Sequence, residues 1–107
     1  MACGYWNRIL RIDLTDGSFR REELDNTFIR KYLGGRGFAL PFMLRGTRPG
    51  LEPLHPDIPL ILATGALTGA AGPAVPRYTA VSKSPLTDGL GASEAGGFWG
   101  PELKFAG

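Results

Sequence analysis

Near its start the chain alternates apolar and polar residues, which is the pattern of a strand whose two faces differ. The run Arg8–Leu14 is interpreted as this strand, with Leu10, Ile12 and Leu14 on one face and Arg11 and Asp13 on the other. A second strand pattern runs from Phe19 to Leu24. Gly17 lies in the turn between the two runs, where positive φ is needed. The alternation therefore predicts a β-hairpin.

Helical spacing follows the hairpin. Asp25 or Asn26 is suited to cap a helix from about Thr27 to Leu33, and Gly34 or Gly35 is expected to end it. The apolar residues of this segment recur on one helix face, which predicts a half-buried helix. They are Phe28, Ile29, Tyr32 and Leu33.

A second short helix is predicted from about Phe38 to Arg45. Pro41 is expected to limit where it begins, because proline fits only in a first turn. The stretch from Thr47 to Pro59 is rich in proline and reads as a loop. The one histidine, His55, lies in this loop and is interpreted as a surface residue, since it has no cysteine or acidic ligand partners in its pattern.

The second half of the chain predicts three strands and a final helix. Leu60–Thr64 is a continuous apolar run, which is typical of a strand buried on both faces. Tyr78–Ser82 and Gly89–Ser93 are the other two strands. A short helix from Phe98 to Phe105 carries Pro101 in its first turn. Its large apolar residues are interpreted as core rather than as a stacking platform; they are Phe98, Trp99, Leu103 and Phe105.

The order of elements predicts an α+β fold with an antiparallel or mixed sheet and short helices. The 107 residues suffice for one domain spanning 1–107. Sixteen glycines and nine prolines agree with short elements and many turns.

Charge and composition narrow the function classes. The net charge of +2 comes from mixed acidic and basic residues, so no basic stripe for nucleic acid is present. No apolar run approaches the roughly 20 residues that cross a membrane, and the N-terminus lacks a signal-peptide layout, so a cytoplasmic location is expected. The single cysteine, Cys3, cannot form an internal disulfide or hold a metal cluster alone.

The densest run of unusual residues begins at Pro76 and continues to Gly107. Arg77 opens a strand, and Gly96–Gly97 precede the final helix. Such a glycine pair lets backbone N–H groups approach a ligand, and a helix N-terminus favours an anion. The alternative is a glycine-rich turn that binds nothing. Neither a dinucleotide-binding fingerprint nor a P-loop is present.

Two further segments leave alternatives open. Gly34–Gly37 either touches a ligand or forms a sharp helix–helix corner, and the corner is the more common use of such glycines. The uncharged stretch from Gly65 to Pro76 is either a flexible connector or a loop in contact with something other than bulk water. Its direct continuation into Arg77 favours the second interpretation as much as its composition favours the first.

Several of these segments, in this order, resemble the N-terminal part of the tungsten-containing aldehyde:ferredoxin oxidoreductases. The likeness runs from near Tyr5 to Gly107. The matching motifs are Trp6–Leu14, Leu33–Gly37, Thr64–Gly69, Arg77–Tyr78 with Lys83–Thr87, Gly96–Gly100 and Glu102–Gly107.

The resemblance implies an enzyme that oxidises aldehydes to carboxylic acids and passes the electrons to ferredoxin. It implies tungsten, or molybdenum in some relatives, held by two pterins beside a [4Fe-4S] cluster. It also implies half of a two-sheet base on which the pterins lie. Related enzymes act on other carbonyl or aromatic thioester substrates, and no residue of this chain chooses among them.

The resemblance also assigns site residues. Arg77 matches a pterin-contacting arginine, and Glu94 and Gly96 match two further pterin-site positions within the Glu94–Ala95–Gly96–Gly97 turn. The residue at position 94 is expected to offer its backbone carbonyl to a magnesium ion that bridges the pterin phosphates. Asparagine is frequent there in the family, and a glutamate carboxylate would repel phosphates unless magnesium intervenes or the side chain points away.

The resemblance covers only the first part of the family's chain. The cluster cysteines and acid–base residues of the family lie in later domains, so the 107 residues alone are expected to be inactive, with further domains of the same polypeptide as partners. The alternative is a free-standing, non-catalytic domain that keeps the fold and pairs with a partner chain, or with itself as a homodimer, through an exposed sheet face or edge.

Overall fold

The computed structural model describes residues 4–107. The interpretation of Cys3 therefore lies outside the described residues. The elements follow one another as β1 (Arg8–Asp13), β2 (Ser18–Glu23), α1 (Asn26–Tyr32), α2 (Arg36–Gly46), β3 (Ile61–Thr64), β4 (Tyr78–Lys83), β5 (Leu90–Ala95) and α3 (Trp99–Ala106). The predicted α+β class is confirmed, and the strands of both small sheets are antiparallel.

The two sheets are a hairpin and a three-stranded sheet. Strands β1 and β2 pair from Arg8 opposite Glu23 to Asp13 opposite Ser18. Gly17 has φ 73° in the connecting turn, as the sequence predicts. In the second sheet β4 is central, with β3 on one side and β5 on the other. Glu94 of β5 lies opposite Thr79 of β4, a register that matters for the site below.

Helix α1 begins as predicted but ends differently. The Asp25 carboxylate accepts a hydrogen bond from the backbone N–H of Phe28 at 2.6 Å, so Asp25 rather than Asn26 is the N-cap. The helix ends at Leu33, which has φ 64° and donates its N–H to the carbonyl of Ile29. The left-handed position is thus taken one residue before Gly34, and Leu33 is exposed instead of lying on the buried face.

Helix α2 contradicts the role expected of Pro41. The helix begins at Arg36, so Pro41 lies inside it rather than in its first turn. A proline there removes one hydrogen bond of the helix, and its burial against neighbouring residues offsets part of that cost. Ala39 and Met43 of the same helix pack on Val81 of β4, so packing rather than local propensity holds this segment helical.

The core is small and lies between the helices and one face of the three-stranded sheet. One cluster joins Ile29, Phe38 and Ala63, and the other joins Ala39, Met43 and Val81. The prediction that β3 is buried on both faces is wrong, because Leu60 and Leu62 are exposed. Helix α2 covers one face of β3, and the other face borders an open groove.

Helix α3 starts after the glycine pair, and Pro101 lies in its first turn as predicted. Trp99 packs on Tyr78 of β4, with ring centroids 4.5 Å apart. The interpretation of the large apolar residues of α3 as core is wrong, because all four are exposed; they are Phe98, Trp99, Leu103 and Phe105. No helix among residues 4–107 has the length and apolar content that a membrane crossing requires.

Candidate functional site

Three charged side chains from distant parts of the chain meet at one place. Glu94 accepts hydrogen bonds from Arg36 at 3.0 Å and from Arg77 at 3.3 Å, one at each carboxylate oxygen. Arg36 is the first residue of α2, Arg77 directly precedes β4, and Glu94 belongs to β5. We call these three residues the arginine–glutamate cluster; it carries one net positive charge.

The two arginines lower the pKa of the Glu94 carboxyl below its ordinary value. The largest cause is the hydrogen bond from Arg36, followed by the one from Arg77. Glu94 is therefore ionised at neutral pH, and its negative charge is directed at two guanidinium groups. This arrangement answers the concern that a carboxylate at position 94 would repel a phosphate, because the carboxylate is already paired.

Buried Thr68 fixes the backbone of Arg77. Its hydroxyl donates to the Arg77 carbonyl at 2.8 Å and accepts from the N–H of Gly65 at 2.9 Å. Within the same loop, the N–H of Gly69 donates to the carbonyl of Val75 at 3.0 Å. The stretch from Gly65 to Pro76 is thus tied to itself and to the start of β4. These hydrogen bonds argue against a flexible connector, and contact of this loop with something other than bulk water stays a prediction.

A glycine corner places Arg36. The N–H of Gly35 donates to the carbonyl of Thr64 at the end of β3, at 3.0 Å. A Cβ on Gly37 would lie 1.9 Å from the carbonyl oxygen of Tyr32, so only glycine fits there. The sharp corner predicted for Gly34–Gly37 is therefore confirmed, and this corner also brings Arg36 to Glu94.

A shallow cavity of about 460 Å³ opens beside the cluster. Its wall is formed by the glycine corner, the loop after β3 and all three members of the arginine–glutamate cluster. Most of its other lining residues are small, so a bound group can come close to the backbone. A cavity of this size matches the smaller range of ligand sites.

The predicted turn continues from the same edge of the sheet. The structure places Glu94 and Ala95 in β5 rather than in the predicted turn, and only Gly96 and Gly97 are exposed between β5 and α3. Gly97 has φ 87° and has open space where a side chain would stand. The N-cap of α3, Phe98, makes no side-chain capping hydrogen bond. The turn thus leaves backbone accessible at the start of a helix, which is suited to an anion.

Of the predicted site residues, the structure brings Arg77 and Glu94 together. Ala95, Gly96 and Gly97 follow Glu94 directly. Sequence reasoning missed Arg36, which it treated as part of a corner. The signal was present, since a lone arginine between glycines is an unusual choice where the chain only needs to turn.

Two other features bear on what the site can hold. Within residues 4–107, no three His, Cys, Asp or Glu side chains are grouped as metal ligands would be. His55 lies elsewhere, where its Nδ1 accepts from the N–H of Asp57 at 3.1 Å.

A separate apolar groove of about 680 Å³ lies between β1, the open face of β3 and α3. The exposed side chains Leu10, Ile12, Leu62, Trp99 and Leu103 line it. Such a groove offers apolar side chains to which another chain or segment could pack.

Fold and site together describe a small antiparallel α+β domain with a charged, glycine-walled cavity. Residues 9–107 match the family described as "Aldehyde ferredoxin oxidoreductase, N-terminal domain". The chain belongs to this family, as the resemblance in its motifs predicts.

Individual relatives agree. The chain is 46% identical over 104 residues to a tungsten-containing aldehyde ferredoxin oxidoreductase of Pyrococcus abyssi, covering 97% of this chain and 17% of that protein. It is 33% identical over 106 residues to an aliphatic sulfonate oxidoreductase, WOR-like subunit, of Pyrococcus furiosus, covering 96% of this chain and 17% of that protein. The chain thus spans about a sixth of the length of the curated relatives it matches.

A solved structure shares the fold. It is the active-site complex BamBC of benzoyl coenzyme A reductase in complex with 1,5-dienoyl-CoA. The TM-score is 0.94 at 36% identity, covering 100% of this chain and 16% of that one. The three strands, the hairpin and the short helices therefore form an architecture that recurs in larger oxidoreductases.

Proposed function

We propose that this chain forms one wall of a tungstopterin site in an oxidoreductase of the aldehyde:ferredoxin type. The observation that carries the proposal is the arginine–glutamate cluster beside a glycine-walled cavity, in a chain of this family. Relatives at 41–46% identity are named as tungsten-containing enzymes. The proposed domain is 1–107, the first part of a longer N-terminal domain.

The residues present fit the anionic part of such a cofactor. Arg77 has a planar set of N–H donors that matches phosphate oxygens and keeps its charge at neutral pH. The exposed backbone of Gly96 and Gly97 lets a phosphate approach the start of α3. Ala95 lies between them and Glu94, whose backbone carbonyl is the proposed contact to magnesium.

When bound, the tungsten or molybdenum centre supplies the redox chemistry, accepting electrons as an aldehyde becomes a carboxylic acid. The residues of this chain would bind and orient the cofactor, and the fixed charge of Arg77 would stabilise an electron-rich state nearby. A [4Fe-4S] cluster, ferredoxin as electron acceptor and a cytoplasmic location belong to the proposal for the whole protein. The cluster's cysteine ligands would come from other parts of the polypeptide.

Replacement of Arg77 tests the proposal. In the intact protein, Arg77→Ala should lower tungsten content and aldehyde oxidation, because one charge-assisted contact is worth roughly 1.5–3 kcal/mol. Arg30→Ala is the matched control, since Arg30 is an exposed arginine on α1. Metal content and activity that stay equal in the two variants would contradict the proposal.

The relatives also define a variant of this function. The matched structure is titled as a benzoyl coenzyme A reductase complex, and one relative is named an aliphatic sulfonate oxidoreductase. The same wall would then serve a different substrate. A panel of aldehydes, aromatic thioesters and sulfonates assayed with the intact protein distinguishes these reactions.

A second candidate function rests on the apolar groove. A non-catalytic domain that pairs with a partner chain, or with a second copy, would need such an exposed apolar surface. Sedimentation velocity of the 107-residue chain tests self-pairing. Association that rises with concentration and is abolished by Leu10→Glu would support it, and a monomer at all concentrations would count against it.

A further inference from the structure

The position of Arg36 is unfavourable for the stability of its own helix. Arg36 is the first residue of α2, and the first turn of that helix contains no acidic residue. The N-terminal end of a helix carries partial positive charge, so a cation there is disfavoured. The N-cap, Gly35, offers no side-chain hydrogen bond to offset it. If Arg36 stabilises the fold, it must therefore do so through its contact with Glu94.

That contact contributes little to the stability of the fold. The side chains of Arg36 and Arg77 are 62% and 69% exposed, and that of Glu94 is 32% exposed. Ion pairs with this much solvent contact contribute little to stability. The geometry has a clearer consequence for binding, because one carboxylate holds two guanidinium groups close together at the rim of a cavity.

The two arginines retain binding capacity in this arrangement. A guanidinium has five N–H donors, and each contact to Glu94 uses one of them. Both arginines line the cavity of about 460 Å³, together with the small residues of the glycine corner. A group with several negative charges can meet both guanidiniums there, whereas a neutral group gains nothing from them.

We propose that Arg36 is a second cationic contact for the phosphate-bearing part of the cofactor, and that Glu94 holds Arg36 and Arg77 as a preformed pair. This inference rests on the proposed function and extends it to a residue of the glycine corner. The net charge of +1 favours a polyanion over the single carboxylate, since only a polyanion brings more charge than Glu94 already supplies.

Cofactor retention in the intact protein tests the inference. Arg36→Gln, Arg36→Lys, Arg77→Gln and the control Arg30→Gln are purified and washed with rising KCl. Tungsten per chain is measured by mass spectrometry, and released pterin by fluorescence after oxidation. Arg36→Gln should retain about tenfold less cofactor than Arg30→Gln, because a charge-assisted contact is lost. Arg36→Lys should fall between them, because an ammonium keeps the charge without the planar donors.

Glu94→Gln separates direct contact from a role through Glu94. If Arg36 binds the cofactor itself, Glu94→Gln loses less cofactor than Arg36→Gln, because both guanidinium groups remain and the amide oxygen can still accept a hydrogen bond from one of them. If Arg36 acts only through its ion pair with Glu94, Glu94→Gln loses as much cofactor as Arg36→Gln, and the inference is overturned. The thermal midpoint of each cofactor-free variant should match that of Arg30→Gln, which excludes general unfolding as the cause of a loss.

The outcomes for the two arginines keep the two proposals apart. Retention in Arg36→Gln with loss in Arg77→Gln overturns this inference and leaves the proposed function standing. Retention in both overturns both. Loss in both, with a smaller loss in Glu94→Gln, supports both.

Discussion

The hydroxyl of Thr68 donates a hydrogen bond to the carbonyl of Arg77 at 2.8 Å, and the same hydroxyl oxygen accepts one from the N–H of Gly65 at 2.9 Å. One buried side chain thereby joins the end of β3 to the start of β4. Arg77 is exposed at its guanidinium but fixed at its backbone, which is the arrangement expected of a residue that must point at a ligand reproducibly.

Thr68→Val tests this link. The substitution keeps the shape of the side chain and removes the partner of two partly buried backbone groups, at a cost of about 1–3 kcal/mol. Hydrogen exchange in the intact protein should therefore become about 5- to 150-fold faster at the amides of residues 65–76. Thr15→Val, in the exposed hairpin turn, is the control. Equal exchange in both variants would show that the hydroxyl does not hold the loop.

Gly37→Ala should disrupt the glycine corner. The new Cβ would lie 1.9 Å from the carbonyl oxygen of Tyr32, so α1 and α2 would have to move apart. A clash with backbone should cost about 3 kcal/mol or more. Gly89→Ala is the matched control, because its Cβ would make only ordinary contact. The yield of soluble protein and its thermal midpoint measure the effect, and two equally stable variants would refute the packing argument.

The arginine–glutamate cluster should persist into mildly acidic solution. Because the folded-state pKa of Glu94 lies below its ordinary value of 4.5, the bridge is complete above pH 4.5 and is lost as the pH falls through the lowered pKa. Titration of ¹³C-labelled glutamate by NMR follows it directly.

The partners of Glu94 supply the control for that titration. Arg36→Gln should move the titration of Glu94 upward, because the largest cause of the shift is removed. Arg30→Gln should leave it in place, and added salt should also raise it by screening. If the pKa of Glu94 is the same in wild type and in Arg36→Gln, the two side chains do not form an ion pair in solution.

Tyr5 should make the stability of the domain sensitive to alkaline pH. Burial raises its pKa above the ordinary value of 10.0, with an opposing, smaller effect from the Ala66 backbone. The protonated Tyr5 hydroxyl contributes fully to the free energy of unfolding below pH 10. This contribution is lost as the pH rises through the raised pKa, because Tyr5 ionises first in the unfolded chain.

Tyr5→Phe should remove part of that alkaline loss. Below pH 10 it should cost about 1 kcal/mol, since the hydroxyl donates to the carbonyl of Leu33 while the ring packs on Phe38. Thermal midpoints from about pH 8 to about pH 11 measure both effects, with Tyr32→Phe as the control. An alkaline loss of equal size in wild type and Tyr5→Phe would assign it to other groups.

Local patterns predicted the elements well because each carried its own signal. The hairpin followed from the alternation between Leu10 and Leu14 and from a turn glycine, and α1 from its capping residue and apolar spacing. The role of Pro41 was predicted wrongly because the helix around it is held by packing of Ala39 and Met43 on Val81, which lies about forty residues away in the chain. Burial of Leu62 was overestimated because an apolar run does not reveal whether both faces of the strand are covered.

The site was predictable only in part for a similar reason. Arg77 and Glu94 were found through the resemblance of their motifs, and whether they bind a cofactor stays a prediction. Arg36 was missed because it lies 58 positions from Glu94 along the chain, and only the glycine corner brings it near. No pattern of neighbouring residues shows that Arg36 and Glu94 lie close together in the fold.

The bridge from Glu94 also acts as a built-in competitor. A carboxylate tethered beside two guanidiniums behaves as though present at a high local concentration, so a dissolved ion must exceed it to displace it. Chloride and other small monoanions bring no more charge than Glu94 and lack its tether. Small monoanions are therefore expected to bind weakly in the cavity, whereas a ligand with several negative charges can still displace Glu94 and bind.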